Sequence, residues 1–228
     1  MQQYFVDKQV NIDDIVELDD DVLYHLIKVL RKDNTYTFRI CDSNHDIYLA
    51  NLVDNKHAKI NTKLDEYNEL DNDITCILAL IKNDKLELTI QKLVELGIKN
   101  IVLYEAQRSV VKIKDEKKLI RINKIIKEAA EQSHRNIIPN LYYVKKVKDL
   151  DKYLSDKNYI CYESEKQIID IESNTSITYI IGPEGGFSKE EYNAICELGF
   201  ESISLGKRIL RAETAAIYMT SVIVSKNQ

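Results

Sequence analysis

The first 70 residues carry a short, alternating pattern of apolar and polar positions. Segments 35–40, 46–52 and 58–60 alternate in the way that is typical of strands with one buried face. Residues 42–45 have the composition of a tight turn, which favours a hairpin between the first two of these strands. Residues 21–31 place apolar side chains at helical spacing and predict one short helix. This part of the chain is therefore predicted to be a small β-rich domain of barrel type.

After residue 73 the pattern changes to buried strands that alternate with longer helices. Residues 74–81 form an uninterrupted apolar run, as expected of a strand that is buried on both faces. Helical spacing follows from Asp84, which we expect to cap a helix, and returns over 115–134 and 212–224. Further strands are predicted at 100–104, 141–144, 159–162, 177–181 and 202–205. This alternation predicts an α/β domain with a mostly parallel sheet and helices on both faces.

The acidic segment 65–73 separates the two patterns and is the predicted linker. We therefore expect two domains, with residues 1–70 in the first and residues 73–228 in the second. The net charge is −5, and residues 1–72 carry 8 Lys and Arg against 15 Asp and Glu, whereas residues 73–228 carry 24 against 22. This balance argues against broad nonspecific binding of nucleic acid, but it leaves room for a local basic site.

The composition favours a cytoplasmic protein without a metal site or a membrane contact. No stretch approaches the roughly 20 apolar residues of a membrane span, and the first residues lack the features of a secretory signal. The histidines show no metal-ligand spacing. The cysteines are far apart in sequence, which favours free thiols in a reducing compartment: Cys41, Cys76, Cys161 and Cys196.

Two glycine-bearing segments near the C-terminus are the strongest chemical signal in the chain. Residues 182–187 read Gly-Pro-Glu-Gly-Gly-Phe, and residues 205–215 read Leu-Gly-Lys-Arg-Ile-Leu-Arg-Ala-Glu-Thr-Ala. The chain has six glycines, and four of them lie in these segments, although glycine is costly where the backbone does not need its freedom. Each segment follows a predicted strand. The carboxyl ends of strands in an α/β sheet are where small-molecule sites are expected.

The first segment does not have the chemistry of a phosphate-binding loop. Its spacing matches neither of the common glycine-rich phosphate motifs, Pro183 removes an amide donor, and Glu184 would repel a phosphate. A ligand with a positive charge and a flat base fits this loop better, and S-adenosylmethionine (AdoMet) has that character. The alternative is that both segments are tight turns without a ligand.

The two segments resemble the C-terminal motifs of the 16S ribosomal RNA uridine-N3 methyltransferases, which belong to the SPOUT class of AdoMet-dependent enzymes. Further stretches resemble the same family in the same order along the chain: 25–31, 92–97, 107–109 and 128–135 followed by Pro139. One position departs from the family. Gln3 precedes the aromatic pair Tyr4 and Phe5, where members commonly have an arginine. The role of that arginine is then missing, dispensable, or shifted to Lys8 or Arg31.

The resemblance implies a fold, a cofactor and partners. The fold is a PUA-like barrel that assists RNA binding, followed by a SPOUT domain whose C-terminal end forms a trefoil knot. The knotted loops bind AdoMet, and two protomers form a homodimer there. The substrate is ribosomal RNA within the assembled small subunit. The implied cofactor-binding residues are Glu163, Ile181, Gly182, Pro183, Gly185, Gly186, Leu205, Gly206, Ile209, Leu210, Arg211 and Thr214.

The implied reaction also suggests roles for charged residues. N3 of uracil carries a proton at neutral pH, so a cationic group near O2 or O4 would stabilise the anion that develops when this proton leaves. Arg211 is the expected cation, and the alternative is an ion pair of Arg211 with Glu213 or with a partner subunit. Glu184 is expected to orient a base or attract the cofactor's positive charge, and alternatively to cap the helix that follows. The expected RNA contacts are Lys28, Arg31, Arg108 and Arg135.

Two other functions fit the same sequence. A SPOUT enzyme with a different target, such as a ribose 2′-hydroxyl or a transfer RNA base, would share the AdoMet motifs. An RNA-binding protein without catalytic activity would share the fold but should have lost pocket residues. Neither glycine-bearing segment shows such a loss.

Overall fold

The computed structural model describes residues 1–162, 171 and 174–226 of the chain. It divides into two compact units. The first comprises Met1–Glu69 and Ala130–Ile137, and the second comprises Leu70–Ala129 and Ile138–Gln228. Residues 130–137, which the sequence pattern assigns to the second domain, therefore belong to the first unit. Among the described residues, no helix combines the length and the apolar character needed to cross a membrane.

The first unit is built around a five-stranded sheet with the order β1-β3-β4-β5-β2. β1 and β3 are parallel, and the other pairs are antiparallel. The hairpin predicted at 42–45 is confirmed, since β3 and β4 pair across it. The elements of this unit are β1 Gln3–Phe5, β2 Ile15–Glu17, α1 Asp20–Leu23, a π-helical turn Tyr24–Val29, β3 Thr37–Cys41, β4 Ile47–Leu52 and β5 His57–Leu64.

One side of this sheet forms the core of the first unit. Phe38, Ile40 and Ile60 are fully buried there, and Leu26 from the π-helical turn packs into the same cluster. The helix predicted over 21–31 is shorter and wider than expected, because the Leu30 amide bonds to the His25 carbonyl five residues earlier. This wider turn leaves Leu26 completely buried.

A buried ion pair ties residues 130–137 to the rest of the first unit. The Arg135 guanidinium donates two hydrogen bonds to the Glu69 carboxylate, of 3.2 Å from Nε and 2.5 Å from Nη2. Glu69 Oε1 also accepts the backbone N–H groups of Asn136 and Ile137. The two paired side chains are only 4% and 7% exposed. A buried carboxylate is stable only when its oxygens are satisfied in this way.

The second unit contains a six-stranded, fully parallel sheet with the order β11-β9-β10-β6-β7-β8. This confirms the predicted parallel α/β architecture. Its elements are β6 Ile74–Ala79, α2 Asn83–Glu95, β7 Asn100–Tyr104, α3 Glu116–Gln132 (which continues into the first unit), β8 Asn140–Val144, a 3-10 helix Val147–Tyr153, β9 Lys157–Cys161, β10 Ile177–Ile181, α4 Lys189–Glu197, β11 Glu201–Ile203 and α5 Ala212–Val224.

The central strands β6 and β10 are buried on both faces, as the continuous apolar run predicts. On one face, Ile180 packs in a cluster with Leu150 of the 3-10 helix and Ile195 of α4. The adjacent Tyr179 points to the other face, where its hydroxyl lies 2.6 Å from the hydroxyl of Thr220 in α5. Helices therefore cover both faces of the sheet, as expected.

Asp84 does not cap α2. The helix begins at Asn83, Lys82 occupies the N-cap position, and the Lys82 side chain makes no capping hydrogen bond. Asp84 lies one residue inside the first turn, where its negative charge is favourable beside the helix dipole.

The buried pair gives a prediction about stability. Glu69→Ala should lower the free energy of unfolding by about 3–5 kcal/mol, because it leaves the Arg135 guanidinium buried without a counter-charge. Glu87→Ala is the matched control, since it breaks a pair with Arg121, whose side chain is 69% exposed. It should cost less than about 1 kcal/mol. Urea unfolding followed by circular dichroism measures both changes, and equal losses would contradict the role given to the buried pair.

Candidate active site

A cavity lies at the carboxyl ends of three neighbouring strands of the parallel sheet. β10 ends at Ile181, β9 at Cys161 and β11 at Ile203, and these strand ends lie side by side. The cavity has a volume of about 360 Å³, within the range of small-molecule sites. It is lined by Arg108, Cys161, Tyr162, 181–187, 204–212 and Ala215.

Most of the predicted cofactor-binding and catalytic residues line this cavity. They are Ile181, Gly182, Pro183, Glu184, Gly185, Gly186, Leu205, Gly206, Ile209, Leu210 and Arg211. Thr214 does not line it and is exposed on α5. Glu163 lies outside the described residues. The two glycine-bearing segments, about twenty residues apart in sequence, thus form facing walls of one cavity.

Glycine is required by the geometry at two points of these walls. A Cβ added to Gly182 would lie 3.1 Å from the ring of Phe187, closer than most Cβ contacts, so the ring would have to shift by a few tenths of an ångström. Gly206 has φ +112, a conformation that residues with a side chain rarely adopt. Both glycines bring bare backbone to the surface of the cavity.

Arg211 stands where the second segment enters α5. It is the N-cap residue of that helix, and its side chain is exposed beside the cavity. Glu213, the alternative partner of Arg211, forms an ion pair of 3.1 Å with Lys85 instead. Burial alone would raise the pKa of Glu213. Hydrogen bonds from its own backbone and from Lys85, with the charge of Arg211 nearby, hold that pKa below its ordinary value.

Glu184 is exposed at the cavity, and it does not cap the following helix. Ser188 caps α4, because its hydroxyl accepts the Glu191 N–H at 3.1 Å. Glu184 Oε1 instead accepts the backbone N–H of Lys82 at 3.2 Å. The carboxylate is therefore anchored at one oxygen while it contributes negative charge to the lining.

The loop that follows β7 brings Arg108 to the cavity, which Arg208 and Arg211 also line. Arg108 Nη1 donates a hydrogen bond of 3.1 Å to the carbonyl of Gly185 in the first glycine-bearing segment. The sequence predicts only an RNA contact for Arg108. Its place on the cavity could not be anticipated, because it depends on a contact between residues 77 positions apart.

An aromatic pair lies at the same edge of the sheet. Tyr162, directly after β9, lines the cavity, and its ring centroid lies 4.3 Å from that of Tyr192 on α4. The rings are inclined by 31°, so they overlap partly face to face. Tyr162 therefore presents a flat surface that is held from behind.

The structure separates the predicted RNA contacts into three groups. Lys28 and Arg31 are exposed in the first unit, Arg108 is exposed at the cavity, and Arg135 is buried against Glu69. Burial and pairing give Arg135 a structural role, so its predicted RNA contact is not retained. Gln3 is likewise fully buried, and its amide bonds to the Arg135 carbonyl and to the Arg39 side chain. It takes no part in an exposed RNA surface.

A second cleft opens at the amino edge of the same sheet. It has a volume of about 640 Å³, and its lining includes Thr75, Asn100, Tyr142, Tyr153 and Ser155. None of the predicted site residues reaches it. The carboxyl-edge cavity is therefore the candidate active site.

The chain matches the family model of an RNA methyltransferase domain over residues 68–224. The ribosomal RNA small subunit methyltransferase E of Mesomycoplasma hyopneumoniae is 38% identical, with 96% of this chain and 97% of the relative covered. The protein of the same name from Bacillus subtilis is 31% identical, with 98% and 96% covered.

Solved structures agree with these relatives. The Neisseria gonorrhoeae ribosomal RNA small subunit methyltransferase E, bound to S-adenosyl methionine, superposes with a TM-score of 0.90 at 28% identity over 99% of this chain and 97% of its own. A Legionella pneumophila protein described as a methyltransferase, in complex with the bound cofactor SAM, superposes with a TM-score of 0.91 at 29% identity. The match covers 98% of this chain and 96% of the other. Family model, relatives and fold lead to one assignment. The chain belongs to the ribosomal RNA small subunit methyltransferase E family.

Proposed function

We propose that this protein transfers the methyl group of AdoMet to N3 of a uridine in small-subunit ribosomal RNA. The observation that carries the proposal is the meeting of both glycine-bearing segments in one cavity. These are two of the segments that carry the resemblance to uridine-N3 methyltransferases. The cavity also presents the guanidinium groups of Arg108 and Arg211 to an incoming anion or carbonyl oxygen.

The residues of the cavity fit AdoMet. The bare backbone at Gly182 and Gly206 allows close approach of a flat base, and Ile181, Leu205 and Leu210 supply apolar contact for its faces. The backbone groups of Leu205, Ile209 and Leu210 are the proposed partners of the adenine edge. Glu184 supplies a negative charge that complements the positive sulfonium.

Bound AdoMet would supply an electrophilic methyl group, and the side chains of the cavity prepare the uracil to accept it. N3 must lose its proton, which leaves negative charge shared with O2 and O4. We propose that the Arg211 guanidinium stabilises this charge, as hydrogen-bond donors stabilise an oxyanion. Glu184 is the proposed group that orients the acceptor of the proton or attracts the sulfonium.

The finer features of the fold are also part of the proposal. We propose that residues 1–70 form a PUA-like barrel that holds RNA through Lys28 and Arg31, which are exposed. Residues 73–228 are the proposed SPOUT domain, with the C-terminal segments threaded into a trefoil knot around the cofactor. The proposed site of action is the cytoplasm, on the assembled small subunit.

A homodimer is proposed on the basis of exposed apolar side chains beside the cavity. Ile209 is 81% exposed and Tyr218 on α5 is 46% exposed. α5 carries a single charged residue, Glu213, over thirteen positions. A second copy that packs against α5 would remove this apolar surface from water.

Methyl transfer to small subunits that lack the modification tests the reaction. We expect AdoMet with a labelled methyl group to yield N3-methyluridine in the 16S RNA, identified by nucleoside mass spectrometry, and no label in free transfer RNA. Gly182→Val is the control for the site, because its side chain would crowd the ring of Phe187, and it should weaken AdoMet binding in calorimetry. Label that appears only in transfer RNA, or at another atom of the nucleotide, would refute the proposed target.

The role of Arg211 gives a separate prediction. Arg211→Ala should lower turnover by about a hundredfold to a thousandfold, because it removes the charge that stabilises the uracil anion. Affinity for AdoMet, measured by calorimetry, should change little. Arg121→Ala on the exposed side of α3 is the matched control and should keep normal turnover. Unchanged turnover in Arg211→Ala would remove Arg211 from the reaction.

A further inference from the structure

A buried carboxylate lies behind the cavity and takes no part in its lining. Glu191 on α4 is only 1% exposed. Its Oε1 atom accepts the Tyr104 hydroxyl at 2.5 Å and the Gln107 backbone N–H at 3.0 Å. Its Oε2 atom is buried without a hydrogen-bond partner among the described residues. Burial of a carboxylate is costly, so this one is expected to serve a purpose that an apolar side chain would not.

Both donors to Glu191 belong to one short stretch of chain. Tyr104 is the last residue of β7, and Gln107 lies three residues later in the loop that follows. Burial raises the pKa of Tyr104 far above its ordinary value, and the bond to Glu191 raises it further. The hydroxyl therefore remains a donor at any physiological pH. Glu191 thus fixes the end of the strand and the start of its loop at the same time.

A second bond holds the same loop to the start of α4. The Ser188 hydroxyl donates to Oε1 of the Gln107 side chain at 2.7 Å while it accepts the Glu191 N–H at 3.1 Å. Residues 188–191 and 104–107 are therefore connected by side chain and backbone together. We call residues 104–109 the arginine loop, because they include Arg108.

The arginine loop ends against the first glycine-bearing segment. Arg108 follows Gln107 directly and donates through Nη1 to the Gly185 carbonyl at 3.1 Å. A Cβ added to Gly185 would lie 3.5 Å from the Arg108 Cβ, an ordinary van der Waals distance, so the two residues are packed against each other. The guanidinium lines the cavity, and no other hydrogen bond of it is found within the described part of the chain. Its remaining N–H groups are available to a ligand in the cavity.

We infer that Glu191 is a positioning residue for the reaction: it fixes the arginine loop so that Arg108 binds the target nucleotide beside the cofactor loop. The inference rests on the proposed function, since it assigns the oxygen atoms of the target uridine and its phosphate as the ligands of Arg108. A guanidinium binds such oxygens best when its direction is fixed in advance. Here the Gly185 carbonyl holds the guanidinium, and Glu191 holds the backbone of Gln107, the residue before Arg108.

The test is a double-mutant cycle between Glu191 and Arg108 in the full chain. Arg108→Ala and Glu191→Ala should each lower kcat/KM on unmodified small subunits by about tenfold to a hundredfold. When Glu191→Ala is added to Arg108→Ala, kcat/KM should fall by no more than about a further twofold, because Glu191 acts through Arg108. Affinity for AdoMet should be retained in all three variants. Additive losses would overturn the inference, as would unchanged kcat/KM in Glu191→Ala.

Two matched variants separate positioning from general stability. Glu190→Ala removes the same side chain from the neighbouring, exposed position in the first turn of α4 and should leave kcat/KM unchanged. Glu191→Gln keeps an acceptor oxygen for both donors and should restore most of the activity lost in Glu191→Ala. A glutamine variant as slow as the alanine variant would contradict the acceptor role. If Glu191→Ala does not fold, Tyr104→Phe takes its place in the cycle, with the same expected dependence on Arg108.

Failure of this inference can be distinguished from failure of the proposed function. If the wild-type chain methylates neither small subunits nor transfer RNA, the proposed function fails. The double-mutant cycle is then measured with the Kd for deproteinised 16S RNA in place of kcat/KM. Non-additive losses of RNA affinity would still support the link between Glu191 and Arg108. Normal methylation with additive losses would leave the function intact and overturn the inference alone.

Discussion

The parallel direction of all six strands in the second unit is the constraint on which the site depends. Parallel strands end at the same edge of a sheet, so the carboxyl ends of β9, β10 and β11 lie together. Two segments about twenty residues apart become the walls of one cavity for this reason. β7 ends at the same edge, which allows its loop to bring Arg108 to the first wall. The buried apolar strands thus determine which polar residues can meet.

Charged side chains around the cavity are held by hydrogen bonds or ion pairs to neighbouring residues, and these contacts do not fill the cavity. Glu184 is anchored to the Lys82 backbone, Arg108 to the Gly185 carbonyl, and Glu213 to Lys85. Arg211 remains exposed at the start of α5. A site arranged in this way stabilises charge without having to reorganise during the reaction, which is the main source of electrostatic catalysis. The same logic makes Glu191 important, because it orients a cation from behind.

The features that sequence could predict are those determined by local pattern. The apolar run at 74–81 predicts a buried parallel strand, and glycines after two such strands predict a site at their carboxyl ends. Features that depend on distant partners could not be predicted. Arg135 has the sequence context of a surface arginine, yet it is buried because Glu69, 66 residues earlier, receives it. Ser188 and Glu191 have the spacing of a capping box, but only Ser188 caps the helix, and the Glu191 side chain faces Tyr104. The strands β1 and β2 span only three residues each, too short for a periodic pattern to identify them.

The central claim is that the carboxyl-edge cavity binds the methyl donor. A crystal structure of the full chain with AdoMet tests it most directly. The result expected is a cofactor enclosed by residues 181–187 and 204–212, with its adenine against the backbone of 205–210 and its sulfonium near Glu184. Its methyl group should point to the side of the cavity that Arg108 and Arg211 line. A cofactor bound in the cleft at the amino edge, beside Tyr142 and Tyr153, would contradict the assignment of the site. So would a cofactor in the cavity whose methyl group points away from the side that Arg108 and Arg211 line.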